Sequence, residues 1–328
     1  MQMRGRLVLM SMAIVGSIAL TVNGGATQDS ADYPNRPVRA IVPFAAGGNA
    51  DVNARLLGRF LQEKLGQPFV IENRGGAGGM IGGSAVAKAV PDGYTVMFGT
   101  NSPIFASSVL AGPKAPYALK DLEPVGRIST VPLILAVNSN SKIRTFADFT
   151  DAAKKGAIRL GHAGNGTTNH VAGIQLAKAL DSSFVFVPYR GSALAVTDLL
   201  AGNIDASTLE VSASMQFVTA GDLRAVAVID EKRVKALSDV PTLTELGVKG
   251  VDVTTFAGVM FPKGTPPDIV KKMDDAVFQA ASDSAFQAKL RELGADPAPL
   301  GAEAFAKFLA GQESRYEQLA KEGLIKLE

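Results

Sequence analysis

The sequence predicts two α/β domains, each a parallel-rich sheet with flanking helices, joined by two crossing strands. Three observations predict this. Short apolar runs alternate with segments of helical periodicity, the rhythm restarts after Pro132, and polar or glycine-rich loops recur where strands pass into helices. A chain of 328 residues is long enough for two cores, and 47% apolar with 20% charged residues is a globular composition that excludes wholesale disorder.

At the start of the chain, Arg4 and Arg6 precede an apolar run from Leu7 to Val22 and small residues ending at Ala26. Basic head, apolar middle and small-residue end are the order of a cleavable secretory signal, so residues 1–26 are expected to be removed and the mature chain to begin near Thr27. A membrane anchor is the alternative reading, but Ser11, Gly16 and Ser17 interrupt the run, which falls short of the ~20 residues a span needs. Without residues 1–26, Lys+Arg falls from 33 to 31 against 31 Asp+Glu. The mature chain is then formally neutral, with neither the basic stripe of a nucleic-acid binder nor a basic amphipathic helix for a membrane surface. The absence of cysteine excludes disulfides, thiolate chemistry and cysteine-ligated metals. An exported chain without cysteine suits a bacterial periplasm.

VRAIVPF, from Val38 to Phe44, reads as the first strand. Val52, Leu56, Leu57, Phe60, Leu61 and Leu65 then fall on one helical face, with Gly66 as a stop. PFVIEN is a second strand, the loop NRGGAGGMIGG leads into a helix ending before Pro91, and YTVMFGTN is a third strand. Beyond Pro132, IRLGHAG, FVFVPYRG and LRAVAVID read as strands, with VAGIQLAKAL and ALAVTDLLAG as the helices between them. The crossing segments are VPLILAVN and DVTTFAGV, so the first domain takes residues 27–131 and 252–328, the second 132–251, and the cleft lies between them. Two long helical patterns, Pro267 to Leu293 and Ala302 to Gly323, close the chain.

Glycine costs conformational entropy, yet PFAAGGNAD and NRGGAGG both place it between a strand and a helix. Such a bend leaves peptide N–H groups uncovered at the positive end of a helix, where they bind anions without a cationic side chain. The anion is not a nucleotide phosphate: GxxxxGK[ST] is absent, and residues 164–169, GNGTTN, miss the dinucleotide fingerprint by Asn169. Catalytic patterns are missing too. His162 and His170 form no HExxH pair and read as local hydrogen-bonding residues, no GxSxG elbow occurs, and Asp274 with Asp275 read as a solvated helix face. These absences predict no cofactor, no metal and no catalysis. In open α/β sheets ligands sit beyond the carboxyl ends of strands, so PFAAGGNAD, NRGGAGG, GTNSP, HAGNGTTNH and PYRGSA are expected to converge on one cleft.

VPFAAGGNAD, ENRGGAGGMIGG, GHAGNGTTNH, VPYRGSALAVTDLLAGNID, DVPTLTELGV and FAGVMFPKGTP occur in that order over nearly the whole mature chain. In this the sequence resembles the Bug-type extracytoplasmic receptors (TctC-like) of the tripartite tricarboxylate transporter family. The resemblance implies a two-lobed, type II-like periplasmic-binding-protein fold that closes like a flytrap over a small carboxylate. It implies a first-lobe site at Phe44, Ala46, Gly47, Gly48, Asp51, Asn73, Gly76, Ala77, Gly78 and Gly79, a floor at Thr100, Asn101 and Ser102, and a second-lobe site at Gly164, Gly166, Thr167, Thr168, Asn169, Tyr189 and Arg190. Asp51 reads more simply as a cap at the helix start than as a ligand contact, while Arg190 is either a bidentate partner of a second carboxylate or a surface residue. Implied partners are a small organic acid and a large and a small membrane subunit, with the receptor a monomer. The alternatives are a sensing accessory for a signalling protein and an α/β hydrolase or transferase.

Three positions depart from the family pattern: Gly75 where proline is usual, Phe256 where tryptophan is common, and Leu209-Glu210 where an Asp-Asn pair is frequent. A cleft-facing Glu210 would repel a second carboxylate and favour a ligand carrying an amine or hydroxyls.

Overall fold

The structure, a computed structural model, describes residues 32–156, 158–251, 253–323 and 325. The expected secretory segment and its cleavage point lie outside the described residues. From Pro34 onward the chain is one compact unit.

The strand β1 (Val38–Val42) leads into α1 (Asn49–Leu65), which stops where Gly66 turns left-handed at φ 72°. Next come β2 (Phe69–Asn73), α2 (Met80–Ala87) and β3 (Thr95–Gly99). A π-helical turn (Ser102–Ala106) runs into α3 (Ser107–Ala111), and the chain then extends as β4 (Leu122–Val131). At Pro132 it leaves the first sheet. β5 (Leu133–Asn138), α4 (Phe146–Lys155), β6 (Ile158–His162), α5 (Thr168–Ala179), β7 (Phe184–Pro188), α6 (Ser192–Leu200), β8 (Ala206–Glu210), α7 (Val211–Ala220) and β9 (Leu223–Ile229) build the second lobe. The chain returns through β10 (Thr255–Pro262), α8 (Pro267–Ser282), α9 (Ser284–Glu292), β11 (Asp296–Gly301) and α10 (Ala302–Lys321).

The first sheet has the order β11-β4-β10-β3-β1-β2 and the second β7-β6-β8-β5-β9. Both are mixed. β2-β1-β3 and β7-β6-β8 pair in parallel, as strands joined through helices must. Antiparallel pairing fills the rest, and it is made by the strands that enter or leave each lobe: β4 with β10, and β5 with β8 and β9. The βαβ rhythm reports only the parallel part.

Where sequence patterning merges Pro267 to Leu293 into one helix, the structure breaks it. Asp283 is extended (φ −69°, ψ 133°), and its carboxylate accepts from the N–H groups of Ala285 and Phe286, ending α8 and capping α9. Phe256, standing where tryptophan is common, is fully buried and meets Phe305 and Phe308 edge to face at centroid distances of 5.6 and 5.3 Å. The smaller ring is accommodated by aromatic neighbours from α10. No helix among the described residues is long and apolar enough to cross a membrane.

Candidate functional site

The bends that follow β1 and β6 have their backbones fixed by nearby side chains. After β1 the organiser is Asp51, only 3% exposed. Its carboxylate accepts from the Gly47 N–H (2.9 Å), Arg55 Nε (2.9 Å) and Asn73 Nδ2 (2.9 Å), and Asn73 Nδ2 also donates to the Phe44 carbonyl (3.1 Å). Burial on its own would raise the Asp51 pKa; the hydrogen bonds from Arg55, Gly47 and Asn73, with the Arg55 charge, outweigh it and hold the carboxyl below its ordinary range. Asp51 and Asn73 thus tie the first bend to β2, and the Gly47 amide is consumed in doing so.

After β6 two histidines play the same part. Gly164 N–H donates to His162 Nδ1 (3.3 Å) and Gly166 N–H to His170 Nδ1 (3.2 Å). The rings stack with centroids 4.3 Å apart, and burial, with the neighbouring ring acting on His162, lowers their pKa values to about 3 and about 4. Both are neutral at pH 7. Thr167 caps α5, accepting from the His170 N–H (3.3 Å) and donating to the Gly164 carbonyl (2.6 Å). Asn169 Nδ2 donates to the Thr208 carbonyl (3.0 Å), joining α5 to β8.

Between the lobes lies a cavity lined by Phe44, Gly48, Asn49, Ala50, Thr100, Ala163, Thr167, Thr168, Asn169, Ser192 and Glu210. Gly48 to Ala50 are the cap and first turn of α1, and Thr167 to Asn169 those of α5; Ser192 opens α6, and Glu210 caps α7. The N-termini of four helices therefore converge on one point, each with unpaired N–H groups and about half a unit of positive charge. Among the described residues, no basic side chain lines the cavity. Closed as it is here, it holds about 10 Å³, room for one water-sized sphere.

Of the residues expected from the sequence, Phe44, Gly48, Thr100, Thr167, Thr168, Asn169 and Glu210 line this cavity. The others do not. Ala46 and Gly47 lie in the first bend. Gly76 to Gly79 form a left-handed run that includes Ala77 at φ 49°, and this run meets the second lobe instead: Gly78 (φ 60°) packs so closely that a β-carbon there would overlap the Asn165 carbonyl. Gly164, at the same seam, faces the Gly78 α-carbon, and Gly166 holds His170. Ser102 donates to the Gly78 carbonyl, and Asn101 clamps the return segment, its Nδ2 donating to the Thr254 carbonyl (2.8 Å) and its Oδ1 accepting from the Phe256 N–H (3.1 Å). Tyr189 donates to Asp198 of α6 (2.6 Å). The Arg190 side chain is exposed, and what crosses the cleft is its carbonyl, which accepts from the Ala45 N–H at 3.0 Å. Gly75 has an ordinary φ; its missing side chain leaves space for that carbonyl, since a β-carbon would stand 3.0 Å from it.

Sequence reasoning missed Asn49, Ala50, Ala163 and Ser192. The signal was present: each adjoins a glycine bend, and the first residues of a helix face whatever its N-terminus binds. Asn49 matters most. Its Oδ1 accepts from Asn53 Nδ2 (2.8 Å) and from Ser212 Oγ of the other lobe (2.7 Å), while its Nδ2 is buried without a partner. Glu210 is 6% exposed, with one carboxylate oxygen accepting from Ser192 Oγ. Burial raises its pKa, and hydrogen bonds from Ser192, its own backbone and Asn169 oppose the rise.

Comparison with known proteins agrees with this layout. Residues 53–324 match the model of the tripartite tricarboxylate transporter family receptor. The protein BugT of Bordetella pertussis is 33% identical over 323 residues, covering 96% of this chain and 98% of its own. The solved structure of the periplasmic binding protein BugD is 34% identical with a TM-score of 0.84, covering 90% of this chain and all of that one. Rpa4515 of R. palustris, solved with adipate, is 33% identical with a TM-score of 0.85, covering 90% of this chain and 99% of that one.

Proposed function

The chain belongs to the tripartite tricarboxylate transporter receptor family, a family of solute-binding receptors rather than enzymes, and from that premise we propose that it captures a small carboxylate in the four-helix cavity and presents it to membrane subunits. The convergence of four helix N-termini on a cavity without a basic side chain carries this reading. Backbone amides and short polar side chains spread the charge of an acid over many donors, which offsets a desolvation cost that is large when a carboxylate is buried unpaired. The adipate bound by a relative of similar fold supports the same class of ligand.

The ligand's acid end lies at the starts of α1 and α5, against Gly48, Asn49, Ala50 and Thr167 to Asn169, with Phe44 as the apolar wall. A cavity of about 10 Å³ does not admit an organic acid, so capture begins with the lobes apart and closure follows. The seam is made by Ala45 with Arg190, Asn49 with Ser212, and Gly78 under Asn165. These pairs join the two lobes, which we assign to residues 27–131 with 252–328 and to residues 132–251. Export through residues 1–26, a periplasmic monomer, and delivery to one large and one small membrane subunit complete the proposal.

A thermal-shift screen of organic acids tests it. An acid at 100 times its dissociation constant stabilises the protein by about 2.7 kcal/mol, a clear rise in melting temperature. A panel of mono-, di- and tricarboxylates that leaves the melting temperature unmoved at millimolar concentration would refute the reading.

A further inference from the structure

Glu210 is the only charged side chain among the described residues lining the cavity, and nothing basic lines it to neutralise that charge. An ionised carboxylate has about four lone-pair positions, and Glu210 accepts from Ser192, its own backbone and Asn169. It therefore retains acceptor capacity. Across the cavity the position is reversed. The amide orientation of Asn49 is fixed, because two donors, Asn53 Nδ2 and Ser212 Oγ, occupy its Oδ1. Its Nδ2 is a buried donor without a partner.

Resting on the carboxylate-receptor reading above, we propose that the cavity is built for an acid that also carries a hydrogen-bond donor, an ammonium or a hydroxyl, in the half that meets Glu210, and that Glu210 rejects plain dicarboxylates. Such a ligand answers both groups: its carboxylate accepts from Asn49 Nδ2 and the helix amides of α1 and α5, and its donor reaches Glu210. A plain diacid leaves Glu210 unmatched and sets a second negative charge against it in a buried site. Glu210 itself stands as the anion at the N-termini of α6 and α7, which leaves those of α1 and α5 to the ligand's acid end.

Calorimetric titration at pH 7.5 with succinate, malate and aspartate, and with adipate and 2-aminoadipate, isolates the donor, since each set shares one carbon skeleton. The amino or hydroxy member is expected to bind at least about tenfold tighter than the plain diacid, and Glu210→Gln to compress that ratio to within about threefold. Asn49→Ala is expected to weaken every member alike and leave the ratio intact, which reads the acid end separately and keeps the test decisive should Glu210→Gln unfold. Plain diacids binding the native protein as tightly as their amino and hydroxy counterparts, or tightening as pH falls through a protonated Glu210 donating to a second carboxylate, would overturn the proposal. So would an unchanged ratio in Glu210→Gln. If these acids bind without donor preference, only this inference fails; if no acid binds at all, the carboxylate reading fails with it.

Discussion

Gly78→Ala should disable closure while leaving each lobe folded. Gly78 has φ 60°, and a β-carbon there would overlap the Asn165 carbonyl of the other lobe; its further neighbour, Ser107 Oγ at 2.7 Å, is a hydroxyl that can turn away. The backbone oxygen cannot rotate, so the loops must part by on the order of 1 Å to regain van der Waals separation. An opening of that size stretches the Ala45 to Arg190 hydrogen bond from 3.0 Å to about 4 Å, out of range, and opens the Ser212 to Asn49 bond beside it. At about 1 kcal/mol each, losing both weakens the closed state by about 2 kcal/mol, or roughly 30-fold in ligand affinity. Alanine at left-handed φ also costs about 1–2 kcal/mol of fold stability, which Gly66→Ala (φ 72°, nothing within 4 Å) shares without touching the seam. Calorimetric affinity for an acid found in the screen, with the radius of gyration from X-ray scattering in its presence, reads the difference. Gly78→Ala binding as tightly as Gly66→Ala, and contracting as fully on ligand, would refute the argument.

Asp51→Ala strands Gly47, Arg55 and Asn73 as donors and should lower stability in urea by about 2–3 kcal/mol. Because the folded pKa of Asp51 is depressed, its contribution is complete above the ordinary value of 3.8 and is lost as pH falls below it. The histidine pair acts higher in pH. With folded values near 3 and 4 against 6.5 unfolded, stability is full above pH 6.5 and declines as pH drops toward 4; each histidine contributes about 2 kcal/mol of loss between pH 6.5 and 5. His170→Asn, whose side-chain oxygen can still accept from Gly166, should lose about 2 kcal/mol less over that interval, and an unchanged decline would contradict the burial argument. Arg190→Ala should alter ligand affinity by less than about twofold, because only its carbonyl crosses the cleft; a large loss would place the guanidinium on the ligand after all.

Strands β1, β2, β3, β6, β7 and β9 were legible because each is an apolar run bounded by glycine, proline or a polar turn, and α1 because its buried face repeats with helical spacing. β4 was not: LEPVGRISTV carries a proline, a glycine and an arginine and shows neither continuous apolarity nor clean alternation, because its register with β10 slips twice. α4 was not read, although FADFTDAAKK carried two signals, a capping box at Thr145 and Asp148 and a buried face of Phe146, Phe149 and Ala153 at helical spacing. α7 follows β8 with no loop between them, so nothing in VSASMQFVTA separates it from the strand.

The sequence by itself determined that bends without side chains stand at the starts of helices, and hence that bare peptide groups are on offer to an anion, because a glycine's bare amide is a local property. Which bends keep their amides free was decided only in three dimensions. Gly47, Gly164 and Gly166 spend their amides on Asp51, His162 and His170, and Gly78 is spent on the seam. Asn49 was left with a buried donor unpaired, and Glu210, from the opposite lobe, with its carboxylate on the same cavity. A hydrogen bond is satisfied or not by whatever lies across from it, and here what lies across comes from the other lobe, more than a hundred residues along the chain.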